Sequence, residues 1–218
     1  LKAETAINYE LGFKGDIIKN KLSIDAAYYL FSLQNTIVSR RDSSGGDYYT
    51  NAGKTKQNGA EIAVYYLPVN NSHLFFRTIK LSATYTSIIA RFENYQQGLI
   101  KYDGNKLTGT PPNTFVLNAD IFTSKGFYSN ISYSYTDHIP LNDANSIYAP
   151  SYQLFFAKLG YKTTLGRNIE TQFFAAYETS FNNPYSLGND LNAAGNRYFN
   201  ATAPQTFTAG IQCRFKVK

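Results

Sequence analysis

Histidine, cysteine and paired carboxylates are where chemistry would begin, and this sequence is poor in the first two. His73 and His138 are its only histidines and Cys213 its only cysteine. Three imidazoles on one zinc ion are therefore impossible, and a mixed site has little raw material, so no metal ligands are assigned. Cys213 sits in an alternating run and reads as a small apolar residue; alone, it makes no internal disulfide. The stretch TDHIP sets Asp137 beside His138, a pair that a general base would need. Adjacent residues on a strand or loop point apart, so a catalytic dyad is not expected and the two read as a loop pair at the mouth. No phosphate-cradling glycine motif appears. No catalytic residue and no cofactor is assigned, and the chain is not read as an enzyme. Two groupings do combine positive charge with aromatic surface, as capture of an anionic ligand requires: Arg40, Arg41, Tyr48 and Tyr49, and then Arg91, Tyr95, Arg197 and Tyr198. Solvated loop charges and boundary tyrosines are the simpler account of the same residues, so these eight stand as candidates.

The elements that would position them are strands. In INYELGFKG, Ile7, Tyr9, Leu11 and Phe13 alternate with Asn8, Glu10, Gly12 and Lys14, which gives one dry and one wet face. The same alternation recurs in eight further runs, whose apolar phases begin at Leu22, Ala60, Ile79, Phe115, Phe127, Phe155, Ile169 and Phe207. Nine strands are predicted. The opposite phase carries Glu10, Lys14, Asp25, Glu61, Lys80, Asp120, Lys158, Glu170, Glu178 and Arg214, and no charge falls on the apolar phase of any run. A water-facing surface explains those carboxylates without acid–base catalysis.

With 218 residues, 43% of them hydrophobic, the chain is large enough for one sizeable β domain. It holds 19 Tyr and 16 Phe with no Trp or Met, and aromatic residues favour strands and membrane–water boundaries. Its net charge of +6 is spread along the chain without a cluster, which argues against nucleic acid. The opening LKAETAINYE has neither the basic start nor the apolar core of a signal peptide, so a processed or excised segment is expected. No uncharged apolar run approaches 18 residues, which excludes a transmembrane helix and leaves a transmembrane barrel untouched.

A soluble sandwich alternates too. The connections separate the two. Short links near Lys19 and Asn20, and through PVNNSH, TSKG and TLGRN, alternate with long polar stretches at Gln34 to Asn51, Ser87 to Pro112, Asp137 to Pro150 and Thr179 to Gln205. One short end and one long end is the outer-membrane barrel pattern, with short turns periplasmic and long loops extracellular. Tyr28, Tyr66, Tyr85, Tyr135, Tyr161 and Tyr177 then fall where an aromatic girdle belongs. On that orientation the first strand runs downward and the ninth ends in the periplasm. Nine is odd, whereas single-chain bacterial barrels close with even numbers, so strands are expected to be missing at the N-terminal side. A strand overlooked within GNRYFNATAP would change the count.

Four segments resemble TonB-dependent outer-membrane receptors. LKAETAINYELGFKG resembles the family's leucine-lysine-proline-glutamate stretch and the strand after it, with Ala3 for the usual proline. NAGKTKQNGAEIAVYY is similar to the next down-going strand at Asn51, Gly53, Gly59 and Glu61. ETSFNNPY matches a motif before the last loop at Phe181, Asn182 and Tyr185 but departs at Thr179 and Ser180. RYFNATAPQTFTAGIQCRF resembles the terminal strand, with Gln205 where arginine is common, and the tail Lys216, Val217, Lys218 runs past the usual aromatic end. The resemblance implies an all-β, antiparallel, up-and-down transmembrane barrel segment, about nine strands of a plugged barrel of about 22. Residues 1–218 would be the C-terminal part of that barrel, without the plug.

It also implies a Gram-negative outer-membrane location, uptake of a ferric siderophore or similar chelate, and no enzymatic role. The implied partners are TonB, the missing plug and N-terminal strands, membrane lipid, and the assembly machinery, which would read Thr208, Gly210, Cys213 and Phe215. The carbohydrate-importing branch fits less well at Thr179 and Ser180. A complete small outer-membrane barrel with a structural or adhesive role, or a soluble carbohydrate-binding β-sandwich, are the alternatives.

Overall fold

A computed structural model describes residues 1–42, 44–97, 99–166, 168–181, 185–186 and 188–215, with the Arg41 side chain also outside that set. Strands β1 (Thr5–Ile18) and β2 (Leu22–Gln34) are followed by a small hairpin, β3 (Ile37–Arg41) and β4 (Asp47–Asn51). After β5 (Lys54–Asn70) and β6 (Phe76–Glu93) comes another, β7 (Gln96–Gln97) and β8 (Ile100–Lys101). The next pair, β9 (Asn113–Thr123) and β10 (Phe127–Thr136), precedes β11 (Ile139–Pro140) and β12 (Tyr148–Ala149). Finally β13 (Tyr152–Leu165) and β14 (Ile169–Ser180) lead through a 3₁₀ turn at Ala194–Asn196 to β15 (Gln205–Phe215). The long strands form one nine-stranded antiparallel sheet in the order β1-β2-β5-β6-β9-β10-β13-β14-β15. Each pairs with its neighbours in sequence, as an up-and-down wall requires, and β1 and β15 form its two open edges. Among the described residues of 181–204 no further strand joins that sheet.

Register settles what alternation alone left open. Leu11 stands opposite Tyr28, Tyr28 opposite Ala60, Ile62 opposite Tyr85, Tyr85 opposite Phe115 and Phe115 opposite Tyr135. Further round, Ile131 meets Ala157, Leu159 meets Ala175 and Phe173 meets Ile211. The nine apolar phases thus fall on a single face, because a one-residue slip anywhere would have turned a strand inside out. That face is bounded by two aromatic rows. Tyr85, Phe115 and Tyr135 lie toward the long loops, and Phe127, Tyr161 and Phe173 toward the short turns, with the Phe127 and Tyr161 rings 4.8 Å apart.

The opposite face is polar and internally paired. Lys14 Nζ reaches Asp25 Oδ2 at 2.7 Å, and Asn130 Nδ2 donates to Asp120 Oδ1 at 2.7 Å. Glycine makes room here for aromatic rings lying flat across the neighbouring strand. Tyr29 covers Gly59, Tyr128 covers Gly160 and Phe174 covers Gly210; a Cβ on Gly160 would lie 2.2 Å from Tyr128 Cζ. The ring shields backbone that glycine leaves bare and fixes the register. In the complete protein containing these strands, Gly160→Val is expected to lower stability by about 1–3 kcal/mol, and Tyr128→Ala to recover part of the loss in the double variant. The urea midpoint of each variant in detergent checks this; two additive losses would mean the pair is not coupled.

Short connections hold residues 19–21, 71–75, 124–126 and 166–168. Asn20 (φ 58°) and Gly126 (φ 89°) supply the left-handed backbone of two of these turns. The other end differs from expectation in two ways. The stretches at Gln34 to Asn51 and Ser87 to Pro112 contain hairpins of their own, and β6 continues to Glu93. It extends because its inward side, Ala90 and Phe92, is buried under the loops. There the outward side need not be apolar, and Lys56, Arg91 and Glu93 occupy the phase that is uncharged lower down.

Candidate functional site

The long connections pack into a layer over the wall, and the layer is where full burial occurs. Ala52, Phe92 and Tyr95 form one cluster with Val38, Tyr102 and Leu107 against it. Leu141, Ala149, Ala193 and Tyr198 form a second. Between them lies Asp143, 1% exposed.

Asp143 ties the four long connections together. Its Oδ2 is 2.5 Å from Arg40 Nη2 and accepts from the Tyr95 hydroxyl at 3.1 Å. Its Oδ1 accepts from the Thr108 hydroxyl and from Asn192 Nδ2, the latter at 3.2 Å. Its N–H donates to Asn192 Oδ1 at 3.0 Å, and its carbonyl accepts from Asn105 Nδ2 at 2.7 Å. A buried carboxylate is tolerated only when paired and hydrogen-bonded in this way. Nearby, Asn145 (φ 54°) clasps Lys106, accepting its N–H at 2.6 Å and donating to its carbonyl at 2.9 Å.

The eight candidate ligand residues divide accordingly. Arg40, Tyr95 and Tyr198 are buried in the layer. Arg40 and Tyr95 come together there, the guanidinium 5.6 Å from the ring centre, with Asp143 joining them. Tyr48 and Tyr49 are exposed on β4, opposite Arg40 and Ser39. Arg197 is exposed beside the buried Tyr198. Arg91 faces outward, its Nη1 donating to the Gly104 carbonyl at 2.5 Å. The Arg41 side chain lies outside the described residues. The asparagines and threonine around Asp143 were not singled out from sequence; the one signal they carry is the Asn/Asp richness of LNDANS and GNDLNAAGN, residue types that hydrogen-bond nearby backbone.

One expectation is overturned. Asp137 and His138 do interact, Nδ1 standing 2.7 Å from Oδ1. They lie past the end of β10, where strand alternation no longer applies, and the imidazole folds back over its neighbour. Lys106 Nζ is 3.1 Å from Nε2. An ammonium only donates, so in this arrangement Nε2 accepts from Lys106 and Nδ1 donates to Asp137. Burial alone would raise the Asp137 carboxyl, but hydrogen bonds from Asn113 and from the His138 backbone and ring hold it below the ordinary range. Its stabilisation is therefore present above about pH 4 and fades as pH falls through the lowered value. Beyond β3, Asp42 Oδ1 accepts from the Ser44 hydroxyl at 2.6 Å and the Gly46 N–H at 2.8 Å. Those bonds, the Ser44 hydroxyl first, lower the Asp42 carboxyl.

The motif residues also have physical roles. Asn51 accepts the Lys2 N–H at 2.8 Å and donates to the Lys2 and Asn35 carbonyls at 3.1 and 2.6 Å. Asn35 Nδ2 holds the Ala3 carbonyl at 3.1 Å, and Glu4 Oε1 accepts the Ile37 N–H at 2.7 Å. LKAE is thereby strapped to the first long connection. Gly53 (φ 61°) passes so close to Asn94 that a Cβ would sit 2.3 Å from its carbonyl oxygen. Asn51→Ala is expected to cost about 1–3 kcal/mol and to speed hydrogen exchange at Lys2, measured by mass spectrometry of the complete protein; unchanged exchange would show the strap is inert.

At the other end, Gly210 lies under the Phe174 ring, Thr208 pairs with Ala176, Cys213 Sγ is 3.9 Å from Thr171 Oγ1, and Phe215 is exposed on the apolar face. Phe181 is exposed and Tyr185 buried, burial raising its hydroxyl pKa. Asn182 and the tail Lys216, Val217, Lys218 lie outside the described residues.

A single-layer meander, apolar on one face and polar on the other, with an ordered loop layer at one end only, defines the wall of an outer-membrane-type β-barrel. The chain belongs to the TonB-dependent receptor-like β-barrel family, whose profile matches residues 1–173. That is a family of transport receptors, not of enzymes. Among solved structures it is similar to the ferric-catecholate import receptor Fiu from E. coli K12, with TM-score 0.66 and 19% identity over 96% of this chain and 27% of that one. The ferric citrate transporter FecA gives 0.67 and 17% over 96% and 31%. The copper transporter OprC gives 0.66 and 14% over the same shares. At such identities the likeness is one of fold. The chain spans about 30% of the length of these receptors.

Proposed function

We propose that these strands form the C-terminal wall of an outer-membrane receptor that takes up a ferric siderophore or a similar chelate with energy passed through TonB. The remaining strands and the plug belong, in this reading, to the rest of the receptor. The short turns are periplasmic, the loop layer extracellular and the C-terminus periplasmic, and the terminal strand, with Thr208, Gly210, Cys213 and Phe215, is what the barrel assembly machinery reads. The observation that carries the proposal is the match of the family profile to a sheet whose polar face and ordered loop layer meet at one mouth. Fiu and FecA are, by name, importers of ferric chelates. Against a bare soft metal such as copper, this part of the receptor offers no methionine, one outward-facing cysteine and two histidines.

Within the layer, Tyr48, Tyr49 and Arg197 are the exposed candidates to meet the chelate, with Arg40, Tyr95 and Tyr198 holding the surface on which they stand. Arg91, on the outward side, and Arg41 belong to the same proposed set at its margin. Calorimetric titration of the complete receptor with ferric catecholate, hydroxamate and citrate complexes tests this. One class is expected to bind, and Tyr48→Ala with Tyr49→Ala to weaken it about tenfold, close to 1.4 kcal/mol. A receptor that ignores all three and binds a sugar or a bare metal would overturn the assignment.

A further inference from the structure

The short connections of the wall carry charge of one sign only. Lys19, Lys21, Arg77 and Lys125 stand in or beside them, all exposed, and none of the four connections contains Asp or Glu. Backbone bonds stitch the turns into one rim: the Leu67 N–H donates to the Lys21 carbonyl at 2.7 Å and the Ser124 N–H to the Phe75 carbonyl at 2.8 Å. Asp16, Asp120 and Glu170, the carboxylates toward this end, are on the polar face. Neither Arg77 nor Lys125 has an ion pair among the described residues.

Next to Arg77 and Lys125 the apolar face is hollowed. Phe127, Tyr161 and Phe173 make the lower aromatic row, and the row above it is Ile121, Ser129, Leu159 and Ala175, large and small in turn. The two short side chains leave a groove of about 640 Å³, lined toward the turns by Phe76, Phe127, Tyr161 and Phe173. Ser129 also lines it, and its Oγ is buried and without a hydrogen-bond partner. On a face whose other side chains here are hydrocarbon that hydroxyl has nothing else to bond, so a ligand in the groove must bring the acceptor.

We propose that the groove and its basic mouth are one binding site for an anionic diacyl phospholipid of the periplasmic leaflet, with its phosphate between Arg77 and Lys125, an ester carbonyl accepting from Ser129 and an acyl chain filling the groove. The inference rests on the reading that this face meets lipid and that the short turns are periplasmic. A hydrocarbon chain alone would fill the groove and leave Ser129 unpaired, and a free anion would meet the two cations and leave the groove empty. Phosphate, ester and chain follow one another in a phospholipid in the order that the site presents. Lys125 lies four residues before Ser129, about 13 Å of strand, which barrel tilt shortens in height and the long lysine side chain shortens further.

The test is native mass spectrometry of the complete receptor, delipidated in nonionic detergent and offered phosphatidylglycerol, phosphatidylcholine or ether-linked phosphatidylglycerol. Phosphatidylglycerol is expected to be held about tenfold better than phosphatidylcholine, and Arg77→Gln with Lys125→Gln to remove that preference. The ether lipid, which lacks the carbonyl, should be held about fivefold less than the ester, and Ser129→Ala should erase the difference. Ser129→Phe, which fills the groove, should abolish retention of all three. Equal retention of ester and ether lipid, a charge preference that survives the double variant, or retention untouched by Ser129→Phe overturns the proposal. So does complete displacement by about 20 mM inorganic phosphate, which would mark a simple anion site. Heat-modifiable migration is read on each variant, and should Ser129→Phe fail to fold, the ester–ether comparison in Ser129→Ala decides. Lys125→Cys, treated with a membrane-impermeant maleimide, should be labelled beyond the parent only after cells are permeabilised. Labelling on intact cells overturns the periplasmic reading, whereas lost lipid selectivity with that orientation intact overturns the site alone.

Discussion

Asp143→Leu is expected to release the loop layer as a unit and leave the nine-stranded wall intact. The substitution removes the partner of Arg40, which stays buried and charged, and strands the hydroxyls of Thr108 and Tyr95 and the amide of Asn192. Breaking a buried pair from one side costs about 3–5 kcal/mol, because the remaining charge is left uncompensated. Hydrogen exchange is the measurement. The amides of Ala52, Tyr102, Leu107 and Asn192, which close the layer's backbone bonds, should exchange at least about a hundredfold faster, and those of β9 and β10 at the original rate. Asp143→Asn, which keeps an acceptor but not the charge, should fall between. The double change Arg40→Leu with Asp143→Leu should recover part of the loss, because no orphaned charge remains. Equal acceleration in layer and wall would show one cooperative unit instead of two. If ligand capture depends on the layer, chelate affinity falls with the same variants although Asp143 itself is buried from any ligand.

Why this knot was invisible in the sequence while the wall was not is a matter of range. Each wall strand declares itself within about ten residues, since Leu22, Ile24, Ala26, Tyr28 and Leu30 need only the period of an extended chain to show a face. Consecutive pairing then followed from the short turns, and the structure keeps all nine strands and their phase. Residues 40, 95, 105, 108, 143 and 192 share no period, and the Asn/Asp richness around 143 and 192 says nothing of which partner each meets; only folding of four separate connections brings them together. The small hairpins were missed for a related reason. The pairs β7–β8 and β11–β12 have two residues per strand, too few to alternate, and β3–β4 opens on the adjacent Ile37 and Val38 and then turns polar without alternating. Asp137 and His138 were misread because a rule for strand interiors was carried one residue past a strand end. Arg91 and Lys56 show the converse: extrapolating the apolar phase upward would have made them lipid-facing, but burial of Phe92 on the other side shows that the loops, not lipid, now drive the packing.

The wall's own claim is tested by charge at its midplane, and here the two faces must give opposite answers at adjacent residues. Ile131 lies midway between Phe127 and Tyr135 on β10, four residues from the aromatic of each row, with Ala119 and Ala157 beside it on the apolar face. Those four residues span about 13 Å of strand in either direction, too far for a lysine to bring its ammonium fully to water. Ile131→Lys in the complete receptor is therefore expected to cost about 2–4 kcal/mol. Ser132, next in sequence, points to the polar face between Asn118 and Phe156. Lysine there should change stability by no more than about 0.5 kcal/mol, as at other water-facing positions. Urea midpoints of the receptor folded into phosphatidylcholine vesicles give both values in one series. Equal costs would mean that the apolar face packs against protein instead of lipid, as a sandwich would have it. A cost at Ser132 alone would invert the wall. The expected asymmetry carries one further step: because lipid tails offer no donor or acceptor, the penalty at Ile131 should persist at high salt, whereas the small effect at Ser132, facing the Asp120 and Lys158 charges of the polar surface, should shrink with it.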